Sequence, residues 1–216
     1  MINQVENLVK IEMEKDASGH DWYHVDRVRK MALFLSKKEG IGYSTVIELA
    51  ALLHDISDEK LNKSKEDGQR KLAAILKSIP IDIQDKESIL AIISSVGFKG
   101  GNGISPKSIE AKIVQDADRL DAIGALGIAR TFAYGGSTGN PIYNPALPIK
   151  DKMTEEEYRK NNSSSIHHFY EKLLKIKDLL HTDSAREIAE ARHLFMEKFL
   201  QEFYKEWNVQ DEEYFN

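Results

Sequence analysis

Leu49–Ala50–Ala51–Leu52–Leu53 is an unbroken apolar run, and it delivers His54, Asp55 and Asp58 with no turn residue in between. A helix that is apolar on every side is a buried helix. An imidazole and two carboxylates carried inward on its end cost several kcal/mol unless they are paired or bind a cation. His54 and Asp55 point about 100° apart on a helix of 3.6 residues per turn. They can therefore share one ion only where the helix end loosens, or where other elements bring ligands from the opposite side. Two segments offer such ligands: His24 in His20–Asp21–Trp22–Tyr23–His24, and Asp118 in Asp116–Ala117–Asp118–Arg119–Leu120–Asp121.

The order His24, His54–Asp55, Asp118, each expected on a helix, resembles the HD superfamily of metal-dependent phosphohydrolases. The flanks are similar to one bacterial branch, the YedJ/YpgQ-like proteins, at His20–His24, Leu52–Lys60, Val114–Ala122 and His167–Leu174. The resemblance runs from about His20 to Trp207. It implies a divalent ion on His24, His54, Asp55 and Asp118. It also implies attack of a metal-bound water on (deoxy)nucleoside triphosphates, giving the monophosphate and pyrophosphate. Alternatives are a nucleoside monophosphatase or general phosphomonoesterase and, from another class, a nucleotide-sensing module without turnover. Related single-metal nucleotidases carry a carboxylate three residues after the HD pair, which orients or deprotonates the water; by position this is Asp58. Two imidazoles, two carboxylates and water suit Mn²⁺ first, then Fe²⁺, Co²⁺ or Ni²⁺, ahead of structural zinc; Mg²⁺ is the weaker fit. No histidine lies between His54 and His167, which argues for one ion, since two-metal relatives place extra histidines there.

Phosphates need cations, and Arg27, Lys60, Arg119 and Lys152 are the candidates. Arg119 adjoins a ligand and could clamp an oxygen bidentately. Arg27 lies one turn from His24. Asp121 would bond a sugar hydroxyl or hold a ligand histidine from behind. His20 is assigned to the substrate phosphates or to the surroundings of the ligands. Of His167 and His168, one faces the pocket and the other solvent.

These residues must be held by a sizeable core. The 216 residues are 41% apolar and 30% charged, as expected of one globular domain over 1–216. Within it a metal core of about 20–135 would carry C-terminal helices of about 154–207. A net charge of −5 argues against a nucleic-acid partner. The absence of cysteine removes disulfides and thiolate chemistry and fits a cytoplasmic protein. The first residues predict neither a secretory leader nor a membrane span. The small-molecule partner expected is a nucleotide, and a homodimer is left open.

Periodicity predicts an all-α fold. A first helix covers 2–15. A second runs from an Asp21 cap to Glu39 and is closed by Gly40. The capping box Thr45–Glu48 starts a third, which ends at His54 and Asp55. Residues 59–68 read as exposed loop, and helices follow at about 67–78 and 84–95. Gly97–Gly103 reads as a connector, without the lysine of a P-loop. Ser105–Pro106 opens one long helix to about Tyr134 that carries Asp118. A loop with Gly135, Gly136, Gly139, Pro141, Pro145 and Pro148 spans 135–153. Thr154–Glu157 is a further capping box, two helices cover about 165–180 and 184–206, and the acidic tail 208–216 frays.

Overall fold

The computed structural model describes residues 1–13, 21–58, 61–97, 103–150, 154 and 163–210. Among them the chain is all-α, with nine α-helices, one 3₁₀ segment and no strand.

Helix α1, Ile2–Met13, buries the stripe Val5, Val9 and Met13. Helix α2, Trp22–Glu39, begins where Asp21 accepts a hydrogen bond from the His24 N–H at 2.8 Å. It ends at Gly40, whose φ of 66° is the left-handed cap that glycine takes without steric cost. Helix α3, Ser44–Leu53, is buried along nearly its whole length. Helices α4 (Lys65–Ser78) and α5 (Ile83–Val96) are capped by Ser64 and Asp82 and separated by Pro80. Helices α6 (Ile109–Asp121) and α7 (Gly124–Thr138) follow. Next come α8 (Ser165–Glu171), the 3₁₀ segment Leu173–Leu179 and α9 (Asp183–Trp207).

One apolar core extends from Val5 to Leu200. Helix α3 lies at its middle, against α1, α2, α5 and α6; α2 packs on both α3 and α6; α9 closes over α2, α6 and α7. The C-terminal ends of α3 and α6 meet near the N-terminal half of α2. All the sequence-predicted ligands arise there.

Four expectations about elements need correction. The Thr45–Glu48 capping box is not used: the N-cap is Tyr43, two residues earlier, and α3 starts at Ser44 without a side-chain cap. Glu48 is spent instead on Arg29, at 2.7–2.8 Å, and Arg29 also holds Glu6, tying α1, α2 and α3 together. The helix expected from Ser105 to Tyr134 starts later and is broken. Ser108, not Ser105, is its cap, and Ile123 at ψ 165° and Gly124 at φ 77° separate α6 from α7. Helix α7 then runs to Thr138, into the predicted loop, and ends at Gly139. The helix over 165–180 is two pieces, because from Leu173 the chain tightens to 3₁₀ geometry, in which the i, i+3 pair Leu173 and Ile176 eclipse and are buried together. Residues 155–157 of the Thr154–Glu157 box, most of the Gly97–Gly103 connector and the end of the acidic tail lie outside the described residues. No helix among the described residues is long and apolar enough to cross a membrane.

Candidate metal centre

Helix α3 ends at Leu53, and residues 54–57 continue as a tight turn. That loosening lets His54 and Asp55 converge despite their adjacency. The Nδ1 of His54 donates to the Ala51 carbonyl at 2.8 Å. This fixes the tautomer and leaves Nε2 as the bare nitrogen pointing away from the helix. Three residues after Asp55, the Asp58 N–H donates to the Asp55 carbonyl at 2.9 Å. Asn62 then staples the turn, its amide donating to the carbonyls of both Ile56 and Asp58 at 2.8 Å.

From α2, His24 enters the same space, 1% exposed. Its Nδ1 donates to Asp121 Oδ2 at 2.7 Å, so its Nε2 also faces the centre. The two rings meet edge to face, with centroids 5.3 Å apart. His24 Nε2 lies 3.4 Å from Asp55 Oδ2 and 3.5 Å from Asp118 Oδ1. His54 Nε2 lies 3.3 Å from Asp55 Oδ1 and 3.9 Å from Asp118 Oδ1. Donor atoms of His24, His54 and Asp55 all fall within 4.8 Å of one another, a set that could hold a metal ion.

These spacings test the fit. Ligands at about 2.1 Å from a divalent ion stand about 3 Å apart at right angles and about 4 Å apart across the ion. The four observed separations lie in that interval. The Nε2 of His54 is buried and makes no hydrogen bond, and such an orphaned buried acceptor is costly unless something binds it. A cation between the two nitrogens and two carboxylates answers both observations.

Behind the ligands sits Asp121, 5% exposed. Its Oδ1 accepts from Arg27 Nε at 2.7 Å. Its Oδ2 accepts from Arg27 at 3.0 Å, from Arg130 at 2.8 Å and from His24. Burial alone would raise the pKa of this carboxyl, but the hydrogen bonds from His24 and Arg27 and the charge of Arg130 outweigh it and hold it well below the usual range. For His24 burial likewise opposes charge, yet the hydrogen bonds to Asp121 and Asp55 prevail and push its pKa up to about 9 in the metal-free chain. A cation entering the centre must displace that proton.

The break after α6 explains how Arg130 arrives. Nine residues along an unbroken helix would carry it about 13 Å past Asp121. The turn at Ile123–Gly124 folds α7 back instead, and Arg130 reaches both the carboxylate and the backbone carbonyl of Asp121. No local feature of the sequence marks Arg130 or Asn62. Gly124 and Gly127 are the one signal for the break: a Cβ at Gly127 would stand 2.2 Å from the Ala122 carbonyl oxygen.

Of the sequence-predicted site residues, the structure brings His24, His54, Asp55 and Asp118 together and places Asp58 at the end of the same turn. Arg27 is present but engaged with Asp121. Asp121 holds a histidine and two guanidinium groups, which corresponds to the second of its two expected roles, holding a ligand histidine from behind. Arg119 turns away from the metal centre; its guanidinium donates to the Leu179 carbonyl and approaches His181. The pocket role for one of His167 and His168 does not fall to His167, which is buried edge-on against Tyr143. His20, Lys60 and Lys152 lie outside the described residues.

A model of the HD domain family matches residues 21–123. YpgQ, an uncharacterised protein of Bacillus subtilis (strain 168), is 36% identical over 205 residues, covering 94% of this chain and 92% of YpgQ. A solved HD-superfamily hydrolase from Bacillus thuringiensis is 48% identical with a TM-score of 0.74, covering 96% of both chains. The structure of B. subtilis YpgQ in complex with ADP is 34% identical with a TM-score of 0.75, covering 95% of this chain and 97% of that one. With its donor residues inside the matched segment and its relatives aligned over nearly their whole length, the chain belongs to the HD domain family, among the HD-superfamily hydrolases.

Proposed function

We propose that this chain is a metal-dependent nucleotide phosphohydrolase that converts (deoxy)nucleoside triphosphates to the monophosphate and pyrophosphate. The observation that carries the reading is the pair of imidazoles whose Nδ1 atoms are both locked, by Ala51 and by Asp121, so that two Nε2 atoms face two carboxylates across 3.3–3.9 Å. His24, His54, Asp55 and Asp118 would hold one divalent ion, Mn²⁺ first by donor set. Such an ion polarises a phosphoryl oxygen and lowers the pKa of its water.

The protein's own contribution is orientation. Asp121 keeps His24 in the tautomer that leaves Nε2 available, and the Ala51 carbonyl does the same for His54. Asp58, held at the rim by the turn and by Asn62, orients the attacking water or accepts its proton. Arg27, partly exposed beside His24, draws substrate phosphates to the mouth of the centre. ADP in the solved YpgQ complex supports a nucleotide as the ligand class.

The test is to load metal-stripped protein with Mn²⁺, incubate it with a panel of nucleoside tri-, di- and monophosphates, and assay pyrophosphate and orthophosphate separately. Pyrophosphate released in equal amount to monophosphate from triphosphates supports the reading. Orthophosphate as the sole inorganic product would make the chain a phosphomonoesterase. No turnover with any metal, together with retained nucleotide binding, would make it a sensing module.

A further inference from the structure

Arg119, Gln115 and His181 build a second polar site on a different face of α6 from Asp118. Asp118 faces the centre, and Arg119, about 100° round the helix, opens into a separate recess. That recess has a volume of about 160 Å³ and is lined by Arg119, Gln115, His181, Leu179, Ser105 and Pro106. The guanidinium donates through one terminal nitrogen to the Leu179 carbonyl, and the same nitrogen lies 3.3 Å from His181 Nε2. Its Nε is buried and has no hydrogen-bond partner. No carboxylate among the described residues lies within ion-pair distance of it.

The surrounding charges sharpen the point. Arg119, Lys112 and Arg186 act on His181 as cations, with Asp116 opposing them; burial lowers the pKa of Arg119 itself, although the charges of Asp116 and Asp118 act the other way. Asp116 is fully buried and already saturated. It accepts from the His181 N–H at 3.0 and 3.1 Å, and from the N–H and hydroxyl of Thr182 at 2.8 Å each. Gln115 is fixed too: its amide donates to the Ser95 carbonyl at 2.5 Å, so its oxygen faces His181 Nε2 at 2.7 Å and must accept from it. The His181 Nε2 is thus a donor, and the nearby Arg119 nitrogen finds no acceptor in the imidazole. A partly buried guanidinium left with a single carbonyl partner has donors to spare, and no carboxylate among the described residues contacts them.

We propose that this recess is a binding site for a phosphate-sized oxyanion, distinct from the metal centre, with Arg119 as its anchor. The ligand chemistry is a tetrahedral phosphoryl group. A recess of this size holds inorganic phosphate or the end of pyrophosphate. Filling it would tie the connector between the 3₁₀ segment and α9 to the residue that follows Asp118. The site stands on its own contacts and does not depend on the hydrolytic reading.

Calorimetric titration of inorganic phosphate into the metal-stripped full-length protein tests the proposal, because the metal centre then offers the anion no metal ion and the Arg119 variant separates the recess from the centre's own side chains. Pyrophosphate and ADP are titrated in parallel to separate the free anion from a nucleotide's terminal phosphate. The expected result is saturable phosphate binding to one site per chain, weakened at least tenfold in Arg119→Gln. Gln115→Leu, which leaves the guanidinium in place, should weaken it less. Absence of saturable binding of either phosphate or pyrophosphate in the parent overturns the proposal. So does equal affinity in a folded Arg119→Gln protein. If that variant fails to fold, phosphate protection of the parent's Arg119 from a guanidinium-modifying dicarbonyl reagent, read by peptide mapping, decides the matter; no protection overturns the site.

Discussion

At the scale of single residues, the centre separates groups that would touch a metal from groups that aim them. Asp58 belongs at the chemistry and Asp121 behind it, and substitution distinguishes the two. Asp58→Asn keeps shape but cannot accept a proton, so metal content should be unchanged while kcat falls by about 10²–10⁴-fold, the range of general-base assistance. KM should move little, as when an interaction exists mainly in the transition state. Loss of metal in that variant would make Asp58 a ligand. Asp121→Asn should behave in the opposite sense. It removes the charge that holds the His24 Nδ1 proton and that neutralises Arg27 and Arg130. Metal affinity should drop about 10–100-fold, the usual cost of losing such a partner, with kcat at saturating metal much less affected. Equilibrium dialysis against Mn²⁺ reads the first effect and steady-state kinetics the second. The four residues His24, His54, Asp55 and Asp118 were legible in the sequence because His54 and Asp55 end a run of apolar residues and all four follow the order of the HD superfamily. Arg130 and Asn62 were not, because an arginine or asparagine among polar neighbours is the ordinary state of a helix surface, and their partners are backbone carbonyls and a carboxylate many residues away.

At the scale of elements, the turn after α3 is shaped by what packs on it. Gly68, in the first turn of α4, comes so close that a Cβ would stand 2.9 Å from the Ser57 carbonyl and from Asn62. Gly68→Ala should therefore push the turn that carries Asp55 and Asp58, costing about 1–3 kcal/mol as overpacking does despite the helix-forming gain of alanine. Denaturant midpoints check it, and a variant as stable as the parent would show that α4 can slide. A second link joins α2 to α9: Glu39 accepts from both the N–H and the hydroxyl of Ser184, at 2.8 and 2.6 Å, capping the start of α9. Those hydrogen bonds hold the Glu39 pKa below its ordinary value. The sign follows from that direction. The contribution is present above the unfolded value of about 4.3 and is lost as pH falls through the lower folded value. Glu39→Gln should thus be less stable than the parent near neutrality by about 1 kcal/mol, the difference between a charge-assisted and a neutral cap at a partly solvated site. The gap should close on acidification toward pH 3, as followed by thermal melts. Element boundaries showed the limits of pattern reading. The ends of α2 were legible because Asp21 and Gly40 act locally. The break between α6 and α7 was not, because the apolar stripe continues through it and only the long-range pull of Arg130 on Asp121 gives the break a purpose.

At the scale of the whole molecule, the apolar core from Val5 to Leu200 and the closure of α9 over α2, α6 and α7 lead us to propose that 1–216 unfolds as one unit. The metal centre draws on α2, α3 and α6, three helices of that core, so ion binding must report on the whole of it. The centre brings Asp55 and Asp118 to the same two imidazoles, and His54 Nε2 is buried without a hydrogen bond. An ion that binds the folded chain alone stabilises it by mass action, about 2.7 kcal/mol at a hundredfold excess over Kd. For a chain of this length that is an upward shift in Tm of roughly 5–10 °C. Stripping the protein with a chelator should lower Tm by that amount in a single, still cooperative transition, and Mn²⁺ should restore it in a concentration-dependent way. Asp55→Ala should melt near the stripped parent and gain little from added Mn²⁺, since the carboxylate facing both imidazoles is gone while the repulsion with Asp118 is relieved. Two transitions on stripping, one insensitive to Mn²⁺, would mean that the C-terminal helices fold apart from the metal core. An Asp55→Ala protein that responds to Mn²⁺ as the parent does would place the stabilising ion somewhere other than between α2, α3 and α6.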